Sequence, residues 1–314
     1  MTVAITGASG YLGRRLLARL LAREQGPMIV ALDLEPPGIE DPRLHYVCHD
    51  VRQPMTSLFS RFGVEKVVHL AFRVAPSRRR RRDREINVGG SENVLTACAD
   101  VGVRALVVVS SATVYGAWPD HSRRLDEAAP LRGKPGFPYV EDKVRVEALV
   151  RAFAEEHAAC RVVVARPSVV VGPGMDNYIR RQLSKRFVPL VAGRDPRLPV
   201  VHEDDVAMAL ETLLVEEVAG AYNLTAPGAL PVAQVAYRLG GRVVRLPAFV
   251  LGGLARLAWG LGLRALSEAP PATLDYLRYS WNNDGTKIVR DTDFSYRYST
   301  RAALLDSSRR APSF

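Results

Sequence analysis

The stretch Thr6-Gly7-Ala8-Ser9-Gly10-Tyr11-Leu12-Gly13 directly follows the apolar run Val3-Ala4-Ile5 and decides which fold this chain can adopt. A short buried strand delivers the chain to Gly7, which has no Cβ and can take a tight turn. Gly10 lets the backbone approach a pyrophosphate, Gly13 lets the next helix pack closely on the sheet, and the amides of that helix point at the phosphate. The pattern predicts a dinucleotide-binding turn. A strand-to-helix turn without a ligand is the alternative, since glycine-rich turns are common.

The composition is that of a globular protein. A chain of 314 residues with 47% hydrophobic residues can bury a full core, which suits one large domain or a nucleotide domain with a smaller partner. We find no secretory signal and no apolar run of about 18 residues, because the most apolar stretch, 246–266, carries two arginines and several glycines. Cys48, Cys98 and Cys160 are widely spaced and odd in number. They predict reduced thiols in a cytoplasmic protein, with neither a disulfide framework nor a metal site.

Much of the formal net charge of +10 lies in the basic run Arg78 to Arg82 and in Arg84. Such a run can bind the phosphates of RNA, of DNA or of an anionic substrate. No aromatic residues are interleaved for stacking on bases. We therefore interpret the run as a solvated loop or the exposed start of a helix, with nucleic-acid binding as the alternative.

A second buried strand is predicted at 28–33, and it ends in the carboxylate of Asp33. An acid about 20 residues beyond the glycines can accept both hydroxyls of an adenosine ribose, and its charge repels a 2′-phosphate. Asp33 therefore favours NAD over NADP as the cofactor. A nearby arginine such as Arg14 can still accommodate a phosphate, so the preference is not absolute.

Regular alternation of strands and helices predicts the fold class. Further strands are predicted at 44–51, 64–72 and 104–109, and the intervening segments have helical patterns with short connections. This order is typical of an α/β protein with a parallel, doubly wound sheet.

Two of these strands end at candidate cofactor contacts. Asp50 and Val51 are placed to meet the adenine edge, although Asp50 alone also fits a turn or helix-capping carboxylate. The apolar Leu70-Ala71-Phe72 would border the cofactor. We interpret the preceding His69 as a histidine packed in its strand, because no carboxylate or cysteine partner accompanies it in sequence.

Tyr139 and Lys143 stand at the head of a predicted helix. The spacing of four places the phenol and the ammonium on one helix face, one turn apart. A free phenol with a pKa near 10 is a poor base at neutral pH, so an acid/base tyrosine needs a neighbouring cation. A solvated helix surface is the alternative, since such a pair is common by chance.

The order of these pieces is more specific than any one of them. A strand-terminal Ser111 lies 28 residues before Tyr139, and both follow the glycine-rich turn and the acid-ended strand. In this order the chain resembles an extended short-chain dehydrogenase/reductase of the nucleotide-sugar epimerase/dehydratase group. The matching pieces cover nearly the whole chain: Thr6 to Gly13, Asp33, Asp50-Val51, His69-Leu70-Ala71, Asn87-Val88, Ser110 to Gly116, Tyr139 with Lys143, Arg166 to Pro173, Val201 to Ala207, Ala221 to Leu224 and Asp293 to Ser299.

The resemblance implies a Rossmann fold with a catalytic triad of Ser111, Tyr139 and Lys143. Tyr139 would exchange a proton with the substrate oxygen while hydride passes between the substrate carbon and the nicotinamide. Lys143 would lower the pKa of the phenol and bind the nicotinamide ribose, and Ser111 would hydrogen-bond the reacting oxygen. The implied cofactor-binding residues are Gly7, Ser9, Gly10, Tyr11, Leu12, Gly13, Asp33, Asp50, Val51, Leu70, Ala71, Phe72, Asn87, Ser110, Tyr139, Lys143 and Pro167, the last against the nicotinamide.

The resemblance also implies how the chain is divided. Residues 1–166 would form the dinucleotide-binding domain, to which 201–222 returns, and most of 167–314 would form a smaller C-terminal substrate-binding lobe. Within the returning segment we interpret His202, Asp204 and Asp205 as positioning residues at a strand-to-helix junction. A homodimer through the Tyr139 helix is common in such folds, and the sequence neither supports nor excludes it.

Departures from the family pattern bear on the reaction. Sugar-nucleotide epimerases carry an asparagine shortly after the arginine that aligns with Arg166, and here Pro167-Ser168-Val169 offers no amide. Dehydratases carry an acidic pair where this chain has Ala112-Thr113, so the groups that eliminate water are missing. Dehydration is therefore disfavoured, whereas epimerisation stays open.

Two segments bear on the substrate. The apolar segment 246–259 is interpreted as an amphipathic helix that packs on the protein and partly lines a pocket. A pocket for lipid-like alcohols and contact with a membrane surface are the alternatives. The loop 173–178 and a basic helix can bind an anionic substrate tail, which keeps sugar nucleotides open. The basic residues are Arg180, Arg181, Lys185 and Arg186.

Three functions are compatible with these observations. The first is an NAD(P)-dependent oxidoreductase that interconverts a secondary alcohol and a ketone. The second is a sugar-nucleotide (UDP-hexose) 4-epimerase. The third is a non-catalytic NAD-binding or RNA-binding sensor, which an intact Ser111, Tyr139 and Lys143 argues against.

Overall fold

The computed structural model describes residues 1–75, 79–121, 124–174, 178–263 and 268–307, and for 178–180 it describes the backbone alone. Along these residues the strands are β1 (Thr2–Thr6), β2 (Met28–Asp33), β3 (Leu44–Cys48), β4 (Lys66–His69), β5 (Ala105–Val109), β6 (Arg161–Pro167), β7 (Val169–Val171), β8 (Phe187–Val191), β9 (Arg197–Leu198), β10 (Val200–His202), β11 (Gly220–Leu224), β12 (Leu230–Pro231) and β13 (Arg242–Leu246).

The α-helices of the same residues are α1 (Tyr11–Leu21), α2 (Thr56–Arg61), α3 (Arg80–Arg84), α4 (Gly90–Val101), α5 (Pro138–Glu156), α6 (Tyr178–Leu183), α7 (Glu203–Val215), α8 (Val232–Arg238), α9 (Ala248–Leu261), α10 (Thr286–Asp291) and α11 (Thr300–Ser307). A π-helical turn at Glu85–Gly89 precedes α4. Short 3₁₀ helices follow β5 at Ala112–Tyr115 and precede α10 at Pro271–Leu277.

The central sheet of the described chain has seven strands in the order β3-β2-β1-β4-β5-β6-β11, and each neighbouring pair is parallel. Val3 and Ile5 of β1 pack under α1 and α7, whereas Ala4 of the same strand faces α2, α4 and α5. Parallel sheets are covered on both faces, which explains the continuous apolar strands. The predicted α/β fold with a parallel, doubly wound sheet is confirmed.

β2 spans the predicted segment, whereas two other strands are shorter than predicted. β3 ends at Cys48 because the Gln53 amide donates to the Asp50 carbonyl at 2.8 Å and closes a turn. β4 ends at His69. Two residues later, the Ala71 amide donates to the Thr6 hydroxyl at 3.4 Å instead of to a strand carbonyl. The apolar pattern continues past each strand because Val51 is buried and residues 70–72 are half-buried where the chain leaves the sheet.

The predicted basic helix is also shorter than its sequence pattern suggests. α6 ends at Leu183 and β8 begins at Phe187, so Lys185 and Arg186 lie in the connection between them. The side chain of Arg180 lies outside the described residues, as do residues 175–177 of the predicted loop.

The basic run forms α3 and contacts the helix that follows the fifth strand. Arg80 donates to Glu141 at 2.7 Å, and Arg84 donates to Asp142 at 3.2 Å. Arg78 lies outside the described residues. The described part of the run is therefore the exposed start of a helix, and part of its charge is paired with acids of α5.

A second group of elements lies beyond β6. Three strand pairs, β7 with β10, β8 with β13 and β9 with β12, surround a separate apolar core that includes Leu190, Tyr276 and Trp281. α9 buries Leu251 and Ala258 against this group of elements. The intervening 203–224 returns to the central sheet, where α7 packs on α1 and β11 pairs with β6.

Two findings concern membranes and thiols. None of the described helices combines the length and the apolar character that a membrane crossing requires. All three cysteines are free thiols; Cys48 is exposed, and Cys98 and Cys160 are buried.

The glycine-rich turn is held by close backbone approaches. Gly7 has a φ of +71°, and a Cβ there would lie 2.6 Å from the Ala71 amide nitrogen, which follows β4. A Cβ at Gly13, inside α1, would lie 2.3 Å from the Gly7 carbonyl oxygen. Any side chain at either position displaces backbone, so these glycines bring the turn, α1 and the end of β4 together.

We expect Gly13→Ala to lower the free energy of unfolding by about 2 kcal/mol or more, because its methyl group overlaps a fixed carbonyl. The matched control is Gly253→Ala in α9, where a Cβ meets nothing within 4 Å. That change should stabilise the protein by roughly 0.5–1 kcal/mol through helix propensity. Urea unfolding followed by circular dichroism measures both, and equal effects would contradict the close-packing account.

Candidate active site

The structure brings Ser111, Tyr139 and Lys143 together beside the end of β5. Ser111 caps the 3₁₀ helix that follows β5 and accepts a hydrogen bond from the Thr113 hydroxyl at 2.9 Å. Tyr139 is the second residue of α5, which begins at Pro138 because proline suits the first turn of a helix. The Ser111 hydroxyl lies close enough to the half-buried Tyr139 phenol to lower the phenol pKa. The predicted serine and tyrosine are therefore neighbours.

Lys143 lies one turn further along α5 and is only 5% exposed. Its Nζ donates to the Val109 carbonyl oxygen at 2.6 Å and lies 3.5 Å from the centre of the Phe72 ring. The same nitrogen lies 6.0 Å from the centre of the Tyr139 ring. Phe72 packs edge-on against Tyr139, with ring centres 5.6 Å apart, so the apolar segment that follows β4 covers both side chains.

Burial controls the proton affinities of this site. Burial raises the pKa of Tyr139 to about 12, and the neighbouring Ser111 hydroxyl partly opposes that rise. Burial also lowers the pKa of Lys143 to about 7, which the carboxylate of Glu147 partly opposes. The sequence led us to expect that Lys143 lowers the phenol pKa. In this geometry desolvation dominates, and the phenol holds its proton at neutral pH.

Glu147 is a residue of the site that the sequence reasoning missed. It lies four residues after Lys143 on the same face of α5 and forms a buried ion pair with Arg166 of β6 at 2.6 Å. The Ser110 hydroxyl also donates to Glu147, and Arg166 donates to the Tyr115 phenol oxygen at 2.8 Å. Its spacing of four from Lys143 was a signal that could have identified Glu147.

Asp33 lies beside the glycine-rich turn. Its Oδ2 accepts the Ser9 amide at 2.9 Å, and its Oδ1 accepts the Leu34 amide at 2.7 Å. The order of the central strands reverses between β1 and β4, and the turn and Leu70 follow these two strands. Ligands of doubly wound sheets bind at such a reversal, outside the carboxyl ends of the strands.

Several other predicted cofactor contacts use their polar groups within the protein. Asp50 accepts a hydrogen bond from Arg52 Nε at 3.0 Å, as a turn carboxylate does. Asn87 accepts the Arg73 amide at 2.8 Å and donates to Asp142 at 3.1 Å. Ser110 is turned to Glu147, as described above. Val51, Leu70, Ala71 and Pro167 offer only backbone and apolar contacts, and each is buried or half-buried.

The end of α1 nearest the turn is fixed to the returning segment. The Tyr11 hydroxyl donates to Glu203, and Arg15 pairs with Glu203 and with Asp204 at 3.1 Å. Burial raises the pKa of Glu203 to about 7, while the Gly174 amide that donates to it opposes the rise. These contacts tie residues 11–15 to the start of α7.

His202, Asp204 and Asp205 shape the junction between β10 and α7. His202 accepts the Asp204 amide at 3.1 Å and so caps α7. Asp205 accepts the backbone amides of Arg297 and Tyr298 at 3.0 and 3.2 Å. Each of these contacts positions backbone. No cluster of three or more metal-ligating side chains is found among the described residues.

The chain is similar to known proteins in sequence and in fold. The model of the NAD-dependent epimerase/dehydratase family matches residues 3–225. An uncharacterized protein of Mycobacterium tuberculosis is 31% identical over 320 residues, which cover 98% of this chain and 83% of the relative.

Two solved structures share the fold over nearly the whole chain. UDP-glucose 4-epimerase of Thermotoga maritima, solved with UDP-glucose, superimposes with a TM-score of 0.77 at 19% identity and covers 99% of this chain and 98% of its own. The dTDP-glucose 4,6-dehydratase of Bacillus anthracis, solved with NAD, superimposes with a TM-score of 0.76 at 16% identity. The match covers 99% of this chain and 96% of the dehydratase.

We expect Lys143→Met to stabilise the cofactor-free protein at neutral pH, because it removes a cation that burial disfavours. Since the folded-state pKa of Lys143 is about 7 against an ordinary 10.5, only the unfolded chain binds this proton between those values. The wild-type free energy of unfolding therefore rises with pH across that window, and the advantage of the variant shrinks by a few kcal/mol.

Urea unfolding of both proteins at pH values across that window tests this expectation. Lys287→Met is the matched control, because Lys287 is half-buried and paired with Asp291 at 3.2 Å. If the free energies of unfolding of wild type and Lys143→Met differ by the same amount at every pH, the Lys143 ammonium is hydrated and the expectation is wrong.

Proposed function

This chain belongs to the NAD-dependent epimerase/dehydratase family, and from that membership we propose that it is an NAD-dependent oxidoreductase that interconverts a secondary alcohol and a ketone. The observation that carries the proposal is that Ser111, Tyr139 and Lys143 lie together beside the end of β5, with Ser111 and Lys143 buried and Tyr139 half-buried. In this proposal Ser111 and Tyr139 contact the substrate oxygen, and Lys143 supports the phenol.

The glycine-rich turn and Asp33 fit a dinucleotide. The close approaches at Gly7 and Gly13 exclude a side chain at either position, so the backbone of the turn at the head of α1 can come close to a phosphate. The proposed cofactor site consists of this turn, Asp33 for the ribose hydroxyls and the apolar residues that follow β4. NAD, when bound, supplies the carbon that takes hydride from the alcohol and, when reduced, returns it to the ketone.

The residues of the chain move the proton. In ketone reduction Tyr139, which is protonated because burial raises its pKa, donates its proton to the substrate oxygen, and the Ser111 hydroxyl stabilises that oxygen. In alcohol oxidation Tyr139 must first lose that proton. When Lys143 is charged, its ammonium, which lies 6.0 Å from the centre of the Tyr139 ring, favours this loss, since opposite charges lower the pKa of the acid. Oxidation should therefore accelerate with rising pH more than reduction does.

We expect Tyr139→Phe to lower kcat by about 10²–10⁴, because it removes the proton donor and leaves the ring packing in place. The measurement is NADH absorbance with a panel of ketones and secondary alcohols that includes octan-2-one, cyclohexanone and UDP-glucose. Tyr237→Phe, at an exposed phenol far from α5 in sequence, is the control and should keep its activity. A Tyr139→Phe enzyme that keeps most of its kcat would overturn the proposed role.

The carboxylate of Asp33 should determine the choice of cofactor. We expect Asp33→Asn to reduce the ratio of kcat/KM with NAD to that with NADP by about tenfold or more, because it removes the charge that repels a 2′-phosphate. Glu40→Gln removes the charge of an exposed acid in the loop after β2 and should leave the ratio unchanged. An unchanged ratio in Asp33→Asn would show that Asp33 only holds the turn through Ser9.

A further inference from the structure

We propose that the substrate of this site is an apolar secondary alcohol or ketone, which binds in an uncharged cavity built by the elements beyond β6. The proposal rests on the proposed oxidoreductase function and names its substrate class. The cavity, called here the apolar cavity, has a volume of about 360 Å³, which lies in the range of sites for small organic ligands.

The walls of the apolar cavity are aliphatic and aromatic side chains from separate parts of the chain. α9 contributes Leu251, Leu254 and Leu257, and the 3₁₀ helix Pro271–Leu277 contributes Leu274. Trp281 is 2% exposed and belongs to the same wall. The sequence reasoning predicted that α9 packs on the protein and partly lines a pocket, and five of its residues line this cavity.

The apolar cavity lies next to the catalytic candidates, although Ser111, Tyr139 and Lys143 do not line it. Thr113, which lines it, donates its hydroxyl to Ser111 Oγ at 2.9 Å. Phe137, another lining residue, lies with its ring centre 5.8 Å from that of Tyr139. In the proposal, a substrate whose oxygen contacts Ser111 and Tyr139 places its carbon skeleton in this cavity by passing Thr113 and Phe137.

The apolar cavity has no group that would bind the diphosphate of a sugar nucleotide. None of its described lining residues is charged. Two basic residues of the surrounding elements are engaged elsewhere: Arg181 donates to Glu268 at 3.0 Å, and Arg166 is held in its buried pair with Glu147. Two phosphate charges buried without partners would cost far more than the remaining contacts return.

One polar atom in the wall indicates a second contact with the ligand. Gln182 lines the apolar cavity, and its Nε2 is buried without a hydrogen-bond partner among the described residues. Buried amide groups are normally paired, so this N–H suits a single acceptor oxygen on an otherwise apolar ligand. The expected substrate therefore carries one reacting oxygen near Ser111 and at most a small number of further polar atoms.

The test compares secondary alcohols of rising length, isopropanol, octan-2-ol and dodecan-2-ol, with UDP-glucose, as substrates of the whole protein with NAD. We expect kcat/KM to rise up to about fourfold per added methylene while the chain fits, as burial of apolar surface predicts. UDP-glucose should not be oxidised and should not compete with dodecan-2-ol. Oxidation or epimerisation of UDP-glucose, or a kcat/KM that does not depend on chain length, would overturn the proposal.

Ala255→Trp fills the apolar cavity and Leu261→Trp, on the same helix but 65% exposed and outside the cavity, is the matched control. We expect Ala255→Trp to lower kcat/KM for dodecan-2-ol at least about tenfold and to flatten the dependence on chain length, as expected when packed space is lost. The control should behave as the wild type. Equal effects of both variants would contradict the assignment, and thermal melts show that both are folded.

Binding of dodecan-2-ol to Tyr139→Phe, measured by calorimetry with NAD present, separates the two proposals. If this variant binds the alcohol and Ala255→Trp does not, the apolar cavity is the ligand site whatever the catalysis proves to be. If wild-type enzyme oxidises only polar alcohols in a Tyr139-dependent manner, the oxidoreductase function stands and the apolar substrate class is wrong.

Discussion

The buried ion pair between Glu147 and Arg166 is the interaction on which the geometry of the site depends. It joins α5 to β6, so it fixes the helix that carries Tyr139 and Lys143 against the sheet. Loss of one partner from such a pair leaves an unpaired buried charge, which costs about 3–5 kcal/mol. The same carboxylate favours the ammonium form of Lys143. The Glu147 side chain therefore both anchors α5 to the sheet and affects the protonation of Lys143.

Exclusion of water is the second constraint on this site. Phe72 covers Lys143 and Tyr139, and burial moves the pKa of the lysine down and that of the phenol up. In such a dry environment each neutral form is favoured, and a charge that arrives or develops nearby has a large effect. An uncharged cavity next to these residues extends the same dry environment to the substrate. The catalytic residues and the cavity therefore favour the same kind of ligand.

The sequence predicted those features that depend on local spacing. The bounds of β2 and the tight turn at Gly7 follow from short patterns, whereas the placement of Ser111 beside Tyr139 was expected only from the family resemblance. Features that depend on distant partners were missed. Arg166 lies on another strand from Glu147, and the apolar cavity joins segments from Thr113 to Trp281, so no window of sequence contains either.

The return of 203–224 to the central sheet has a consequence for synthesis of the protein. Leu16 and Leu17 of α1 are fully buried, and α7 is the element that packs over α1. On a ribosome the first six strands emerge before α7 and β11 exist, so these leucines and the edge of β6 stay uncovered until residue 224 is free of the exit tunnel. The dinucleotide-binding domain therefore cannot bury these surfaces before more than two thirds of the chain has been synthesised. During that interval the exposed apolar surface and strand edge are prone to aggregation, which chaperones or rapid completion of folding would limit.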